Sequence, residues 1–314
     1  MGELRKDYFL DEYVIISPER AKRPHDFQQH PQEPAKNTPF TPGNESQLPP
    51  IIYEEPKGSN WRIRVIPNKF AITRPEGDAD LKTNGLYTWS SNFGHHEIVV
   101  EGQKDNVPFS ELGPDYINDA IRVAIVRVKT LSERPGVKYV AYFKNERPEA
   151  GASISHPHSQ IIATSIIPPR ISQLTAAFSS RIREYGFSPL YKVLDHERNG
   201  ERMIIETKHF AAICPYASRF PFEVLIIPIR HSNSYTTMSQ EEQKDLAILL
   251  HKLLGKLASI SAPFNIEWVH SPAKDFHWHI TIAPRLNVWA GFEFQTQIIV
   301  NPVPPENAAN FYKG

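Results

Sequence analysis

Apolar and polar positions fall into two long helical stretches and a series of short strands, and these recur in the same order twice. Between residues 114 and 132, Ile117, Ala120, Ile121, Ala124, Ile125, Val128 and Leu131 keep the spacing of one helix face. Pro114 suits the first turn of that helix, where a missing N–H costs no hydrogen bond. Between 240 and 259, Leu246, Leu249, Leu250, Leu253, Leu254 and Leu257 repeat the pattern, and Ser239 with Glu242 forms a capping box ahead of it. Short apolar or alternating runs predict strands at residues 13–16, 61–66, 97–101, 137–143, 158–164, 222–227, 264–269 and 276–285. Proline is concentrated in residues 24–56 and 302–305, which are expected to be extended and loop-like.

The recurring order is a glutamate-bearing strand, helix, strand, loop, His-x-His strand and proline. The offset is nearly constant, from Glu97 to Glu223, Ile121 to Leu246 and His158 to His279. We read a duplicated α+β unit, with an N-terminal copy over residues 1–185 and a C-terminal copy over residues 186–314. The copies differ at their histidines. The first has His156-Pro157-His158-Ser159-Gln160; the second has His277-Trp278-His279-Ile280 and no glutamine.

The stretch Gly151-Ala152-Ser153-Ile154-Ser155-His156-Pro157-His158-Ser159-Gln160 is a small-residue loop feeding a strand. Side chains alternate along a strand, so His156, His158 and Gln160 are expected on one face. A loop of this kind lets backbone N–H groups approach a phosphate. A histidine just beyond it is placed to attack that phosphate. A His-x-His pair alone is often only a hydrogen-bonded pair; the glycine–serine approach, the intervening proline and the trailing glutamine set this one apart. A neutral imidazole can displace the sugar phosphate of a nucleoside diphosphate sugar and hand the nucleotidyl group to a second phosphate, splitting one displacement into two. Its other nitrogen needs an acceptor, which the chain around His156-Pro157 can supply. Gln160 can donate an N–H to a phosphate oxygen but cannot shuttle a proton. A histidine there would favour hydrolysis, and a glutamine favours transfer.

Composition narrows the choice. The chain has 314 residues, enough for two ordinary domains, with 35 basic and 35 acidic side chains, so no excess charge points to nucleic acid or a membrane surface. Arg20-Ala21-Lys22-Arg23-Pro24 is a basic run that reads, by itself, as a solvated loop. The single Cys214 excludes an intrachain disulfide framework and a multi-cysteine metal cluster. No apolar run reaches membrane-spanning length, and the first residues have no apolar signal core. The expectation is a cytoplasmic protein with no nucleic-acid or membrane partner.

The stretch from Gly151 to Gln160 resembles the active-site motif of the galactose-1-phosphate uridylyltransferase family, in the histidine-triad superfamily. The resemblance covers nearly the whole chain. Residues 20–24 resemble the family's N-terminal basic motif, and Pro67-Asn68-Lys69-Phe70-Ala71 its nucleoside-contacting segment. Asn145 matches an asparagine ahead of the glycine–serine loop. Ala290-Gly291-Phe292-Glu293 and Asn301-Pro302-Val303-Pro304-Pro305-Glu306 resemble its hexose-recognition end. The resemblance implies an α+β fold of duplicated histidine-triad-like units, with antiparallel half-barrel sheets and flanking helices. It also implies a homodimer with shared sites and no cofactor.

By the same resemblance His158 is the nucleophile, beside His156, and Gln160 and Ser153 hold the phosphates. Arg20 and Arg23 add positive charge, Asn68 and Lys69 lie at the nucleoside, and Asn145 and Gly151 lie in the phosphate region. Glu293 would accept hydrogen bonds from sugar hydroxyls, from the partner subunit in the shared-site arrangement, with Gln297 facing sugar or phosphate. The implied activity is ping-pong exchange of UMP between UDP-glucose and galactose 1-phosphate. Two alternatives stand beside it. One is phosphorolysis of a nucleoside diphosphate sugar such as ADP-glucose, performed by plant relatives with a Ser-His-x-His-Ser-Gln motif. The other is a degenerate member that binds nucleotide without turnover.

This chain departs from the family in several places. Many members carry a Cys-x-x-Cys, completed by two histidines, as a structural zinc site. Here those positions are Thr38, Thr41 and Asp105, and only His156 survives. Hydroxyls do not replace thiolates as zinc ligands, so no zinc is expected, with hydrogen bonds and apolar packing in its place. A second Cys-x-x-Cys of some relatives falls on Ser188 and Tyr191. Some relatives bind iron near the positions of His270, His277 and His279 with a glutamate that aligns with Leu174. A hydrogen-bonded histidine group in a packed sheet is expected there instead. Lys69 stands where the family often has an acidic residue.

Overall fold

The computed structural model describes residues 2–22, 37–105 and 107–314. Arg23 lies outside them. In chain order the elements are β1 (Glu3–Lys6), β2 (Tyr13–Ile16), β3 (Tyr53–Glu55), β4 (Ile63–Pro67), β5 (Lys82–Asn84), β6 (Tyr87–Trp89), β7 (Gly94–Glu101), α1 (Pro114–Ser132), β8 (Tyr139–Glu146) and β9 (His158–Thr164). They continue with α2 (Pro169–Tyr185), α3 (Pro189–Glu197), β10 (Met203–Glu206), β11 (Phe210–Ile213), β12 (Val224–Pro228), α4 (Gln240–Ser259), β13 (Phe264–Val269), β14 (His279–Pro284), α5 (Gly291–Thr296), β15 (Ile299–Asn301) and α6 (Pro305–Lys313).

Ten strands form one sheet in the order β10-β11-β12-β14-β13-β8-β9-β7-β4-β3, all antiparallel. The order reads the same from both edges: β3-β4-β7-β9-β8 matches β10-β11-β12-β14-β13. The duplication is therefore visible as a pseudo-twofold axis between β8 and β13. Those strands pair from Phe264 opposite Glu146 to Trp268 opposite Tyr142, so both copies share one sheet. The boundary expected between residues 185 and 186 falls at the end of α2.

Helices α1 and α4 pack side by side on one face of the sheet. The apolar stripes read from the sequence are buried there against Val99, Val140, Ile161, Ile226 and Ile280. The capping box of α4 is made in both directions, Ser239 Oγ accepting the Glu242 N–H at 3.2 Å and the Glu242 carboxylate accepting the Ser239 N–H at 2.6 Å. A smaller sheet, β1-β2-β15, includes one parallel pair, β2 with β15. Among the described residues no helix is long and apolar enough to cross a membrane.

The structure corrects three expectations. The strand read over 276–285 begins at His279, because Phe276 and Trp278 donate their N–H groups to Ala273 and Ser232, outside the ladder. β9 spans His158–Thr164 as the sequence predicts, so His156, expected on one strand face with His158 and Gln160, lies ahead of that strand. The prolines near the C-terminus do not all lie in extended chain, since Pro305 begins α6 at a position where its missing N–H has no helical acceptor to lose.

Candidate active site

Gly151 ends a short turn, Pro148–Ala150, and its φ of +90° lies in the left-handed region that favours glycine. Gly151 and Ser153 are exposed, and the chain becomes buried at His156. His158 and Gln160 then project from β9 on the face opposite α1 and α4, while Ser159 and Ile161 point the other way.

His158 is only 6 % exposed, and its Nδ1 lies 2.8 Å from the His156 carbonyl oxygen. A carbonyl can only accept, so Nδ1 carries the ring proton and Nε2 keeps its lone pair. Burial lowers the pKa to about 4, helped by the Lys144 ammonium and opposed by the bond to His156. The ring is therefore neutral at neutral pH, the form a nucleophile requires.

Gln160 is held by a residue the sequence reading missed. His96 on β7 accepts the Ile72 N–H at Nδ1 (3.3 Å), which puts its proton on Nε2, 2.9 Å from Gln160 Oε1. Gln160 thus presents its amide N–H₂ as a donor. Asn68 Nδ2 approaches the same His96 nitrogen to 3.1 Å, and Asn68 Oδ1 accepts the Phe70 N–H at 2.8 Å. The amide of Asn68, expected at the nucleoside, therefore lies beside the imidazole that holds Gln160. Lys69, next in the chain, is exposed.

The second copy also reaches the first. Asn265 lies opposite Asn145 in the β8–β13 ladder, and its Nδ2 donates to Asn145 Oδ1 and to the Ala150 carbonyl, both at 2.8 Å. It fastens the glycine loop to the sheet.

The residues at the expected zinc position converge as a hydrogen-bonded cluster. Asp105 Oδ1 lies 2.6 Å from His156 Nδ1 and accepts from the Thr38 hydroxyl at 2.8 Å; Asp105 Oδ2 accepts from the Thr41 hydroxyl at 2.5 Å. His156 Nε2 lies 2.8 Å from the Gly102 carbonyl oxygen. Phe40, between the threonines, packs its ring 5.7 Å from both His156 and His158. These donors do not fit zinc: both hydroxyls are committed to Asp105, and both His156 nitrogens face oxygens. Burial works to raise the Asp105 pKa, but the bonds from Thr41, His156 and Thr38 outweigh it and hold the carboxyl below its ordinary 3.8.

The C-terminal copy repeats the backbone logic with a closed site. His279 Nδ1 lies 3.1 Å from the His277 carbonyl oxygen, and His277 Nε2 lies 3.0 Å from that of Pro228. Ser188 Oγ lies 2.8 Å from His277 Nδ1, and the Tyr191 ring packs edge-on against it. The His279 ring is stacked with Phe178 of α2 at 6.1 Å and packed against Phe276. Leu174 packs beside the same apolar cluster. His270 Nε2 meets the Val140 carbonyl oxygen at 2.8 Å. Among the described residues no three His, Cys, Asp or Glu side chains converge to hold a metal.

Three expected residues stay apart from this site. Arg20 lies in a short turn beside β15, where the Ser17 N–H bonds the Asn301 carbonyl. The Glu293 carboxylate accepts the Ala290 N–H at 3.0 Å, and Gln297 Nε2 bonds the Phe294 carbonyl at 3.1 Å. Among the described residues none of the three makes a hydrogen bond or ion pair with β9 or the glycine loop.

The model of the galactose-1-phosphate uridyl transferase N-terminal domain matches residues 2–168, more than half of the chain, with the glycine loop, His158 and Gln160 inside the match. The chain belongs to the galactose-1-phosphate uridylyltransferase family. Its membership agrees with the α+β fold and the large antiparallel sheet. A second model, of a domain of unknown function, matches residues 89–311. Within the family, the chain is 32 % identical to an ADP-glucose phosphorylase of Arabidopsis thaliana, over 98 % of this chain and 91 % of the relative. It is 30 % identical to a galactose-1-phosphate uridylyltransferase of Thermotoga maritima, over 98 % and 97 %. The crystal structure of an ADP-glucose phosphorylase from Arabidopsis thaliana with bound ADP-glucose is similar with a TM-score of 0.86 and 30 % identity, covering 100 % of this chain and 98 % of that one.

Proposed function

We propose that the chain transfers a nucleotidyl group from a nucleoside diphosphate sugar to a phosphate acceptor through a covalent intermediate on His158. The observation that carries this reading is the buried, neutral imidazole, its Nδ1 proton held by the His156 carbonyl and its Nε2 lone pair kept. Nε2 attacks the α-phosphorus, the bond to the sugar phosphate breaks, and the sugar 1-phosphate leaves with that electron pair. The cationic ring keeps its Nδ1–H on His156. A phosphate oxygen of the acceptor then attacks the same phosphorus, and the N–P electrons return to Nε2. Gln160 donates to a non-bridging oxygen, Ser153 and the glycine loop line the phosphates, and Asn68 lies at the nucleoside.

Of the finer readings, ADP-glucose as donor and inorganic phosphate as acceptor is supported by the Arabidopsis relative and by the ADP-glucose-bound structure. Lys69, in place of an acidic residue, points the same way. Uridylyl transfer between UDP-glucose and galactose 1-phosphate is supported by the Thermotoga relative. Initial rates with the two pairs separate them. We expect kcat/KM at least about tenfold higher for ADP-glucose with phosphate, a selectivity of about 1.4 kcal/mol. The reverse order establishes the uridylyltransferase, and no turnover of either pair leaves a binding protein. We further infer that Glu293 and Gln297 reach the sugar end from a second copy of the chain, because among the described residues they make no hydrogen bond with the His158 loop.

Two results are expected from this chemistry. The single-turnover rate of adduct formation should show its acid limb near pH 4, where His158 gains a proton, and no inflection near 6.5 from this group. Gln160→His should raise hydrolysis relative to transfer by about tenfold or more, since an imidazole there can take a proton from water. An unchanged ratio would contradict the proton-relay argument.

A further inference from the structure

We propose that a buried polar trio, Lys144, Glu101 and Ser159, positions the nucleophile from the opposite face of the sheet. Lys144 is 2 % exposed and Glu101 fully buried. The Lys144 ammonium donates to Glu101 Oε2 at 2.6 Å and to the backbone carbonyl of His158 at 3.0 Å, above the Phe109 ring and with Glu146 Oε2 3.6 Å away. The Ser159 hydroxyl donates to the other oxygen of Glu101 in a short bond. The peptide that follows the nucleophile is thus held twice, by its carbonyl and by the next side chain.

The duplicated copy shows that the fold does not need these charges. In the first copy Ser159 pairs with Lys144 across β8 and β9; in the second, Ile280 pairs with Trp268 across β13 and β14. Where β7 ends in Glu101, β12 ends in Ile227-Pro228. Trp268 and Ile280 are buried, so the same place is filled by apolar packing. A buried ion pair is weak evidence for stability, because desolvation offsets most of its attraction. The trio is present under His158, whose Nε2 makes no hydrogen bond among the described residues, and absent under His279, which Phe178 seals.

The proposal rests on His158 as the nucleophile. In-line attack is sensitive to displacements of about 1 Å, and such a displacement costs on the order of 100-fold in rate. The trio fixes the root of the His158 side chain, and the His156 carbonyl fixes its ring. Lys144, Glu101 and Ser159 are positioning residues and touch no substrate.

The test compares Lys144→Met/Glu101→Leu/Ser159→Ala with Lys144→Met and Ser159→Ala. Melting temperature, the rate of nucleotidyl adduct formation from ADP-glucose or UDP-glucose, and donor Kd are measured on each. Lys144→Met should melt lower than the parent, because it leaves the buried Glu101, and Glu146, without their cation. The triple variant should melt above Lys144→Met, with adduct formation slower than the parent by about 10–100-fold and Kd within about twofold. Ser159→Ala, which removes one hydrogen bond, should slow adduct formation about threefold or more at unchanged melting temperature. Parent-like rates in the triple variant overturn the proposal, as do parent-like rates in Ser159→Ala should the triple variant not fold. A parent chain that forms no adduct with either donor instead overturns the reading of His158, and this proposal with it.

Discussion

His158→Asn abolishes the covalent adduct and lowers turnover by about 10⁴-fold or more, while the chain melts within a few degrees of the parent. Asparagine can keep an N–H on the His156 carbonyl, which His158 Nδ1 now meets at 2.8 Å, but it carries no lone pair equivalent to Nε2. His158 contributes little that the core needs, because its ring lies on the face away from α1 and α4. A variant with normal turnover would contradict covalent catalysis on this residue. A variant that fails to fold would show that the imbedded ring is structural, as His279 is in the second copy.

Asp105→Ala is the second large effect, and it falls on stability first. It leaves His156 Nδ1 and the hydroxyls of Thr38 and Thr41 without their shared acceptor. Leaving buried donors without their acceptor costs about 1–3 kcal/mol. Activity should fall as well, because the same carboxylate fastens the segment carrying Phe40 against both site histidines. The pH dependence has a definite sign. The folded-state pKa of Asp105 is depressed below its ordinary 3.8, so its contribution is fully present above that value and is lost as pH falls through the folded value. Urea unfolding should therefore separate parent and variant most at pH 7, and the gap should narrow below about pH 4. A constant gap would mean that the carboxylate form is not what the cluster needs. A chelator should leave the melting temperature of the parent unchanged; a drop would mean that a metal, and not Asp105, holds this corner.

What was legible in the sequence was what periodicity and local chemistry encode. Helices α1 and α4 match to the residue because their leucine and isoleucine stripes run through five turns with clear starts at Pro114 and Ser239. The duplication was visible as a repeated order, and the structure shows it as a palindromic strand order. The acceptor for His158 was sought around His156-Pro157 and is the His156 carbonyl. By contrast, α2 was missed because only Ile171 and Phe178 of its residues are buried, too few to show a stripe. His96 and Asn265 were missed because cross-strand register, and not spacing along the chain, brings them to Gln160 and Asn145. The adjacent His95-His96 at the head of a strand was the available signal. Lys144 and Glu101 sit at strand positions that alternation would give to the apolar face, so a charged side chain there was itself a clue.

Intact-protein mass spectrometry after incubation with ADP-glucose alone, and separately with UDP-glucose alone, tests covalent transfer most directly. We expect one nucleotidyl group per chain, mapped to His158, absent in His158→Asn and discharged by phosphate or galactose 1-phosphate. An adduct on another residue, or none with either donor, would contradict it.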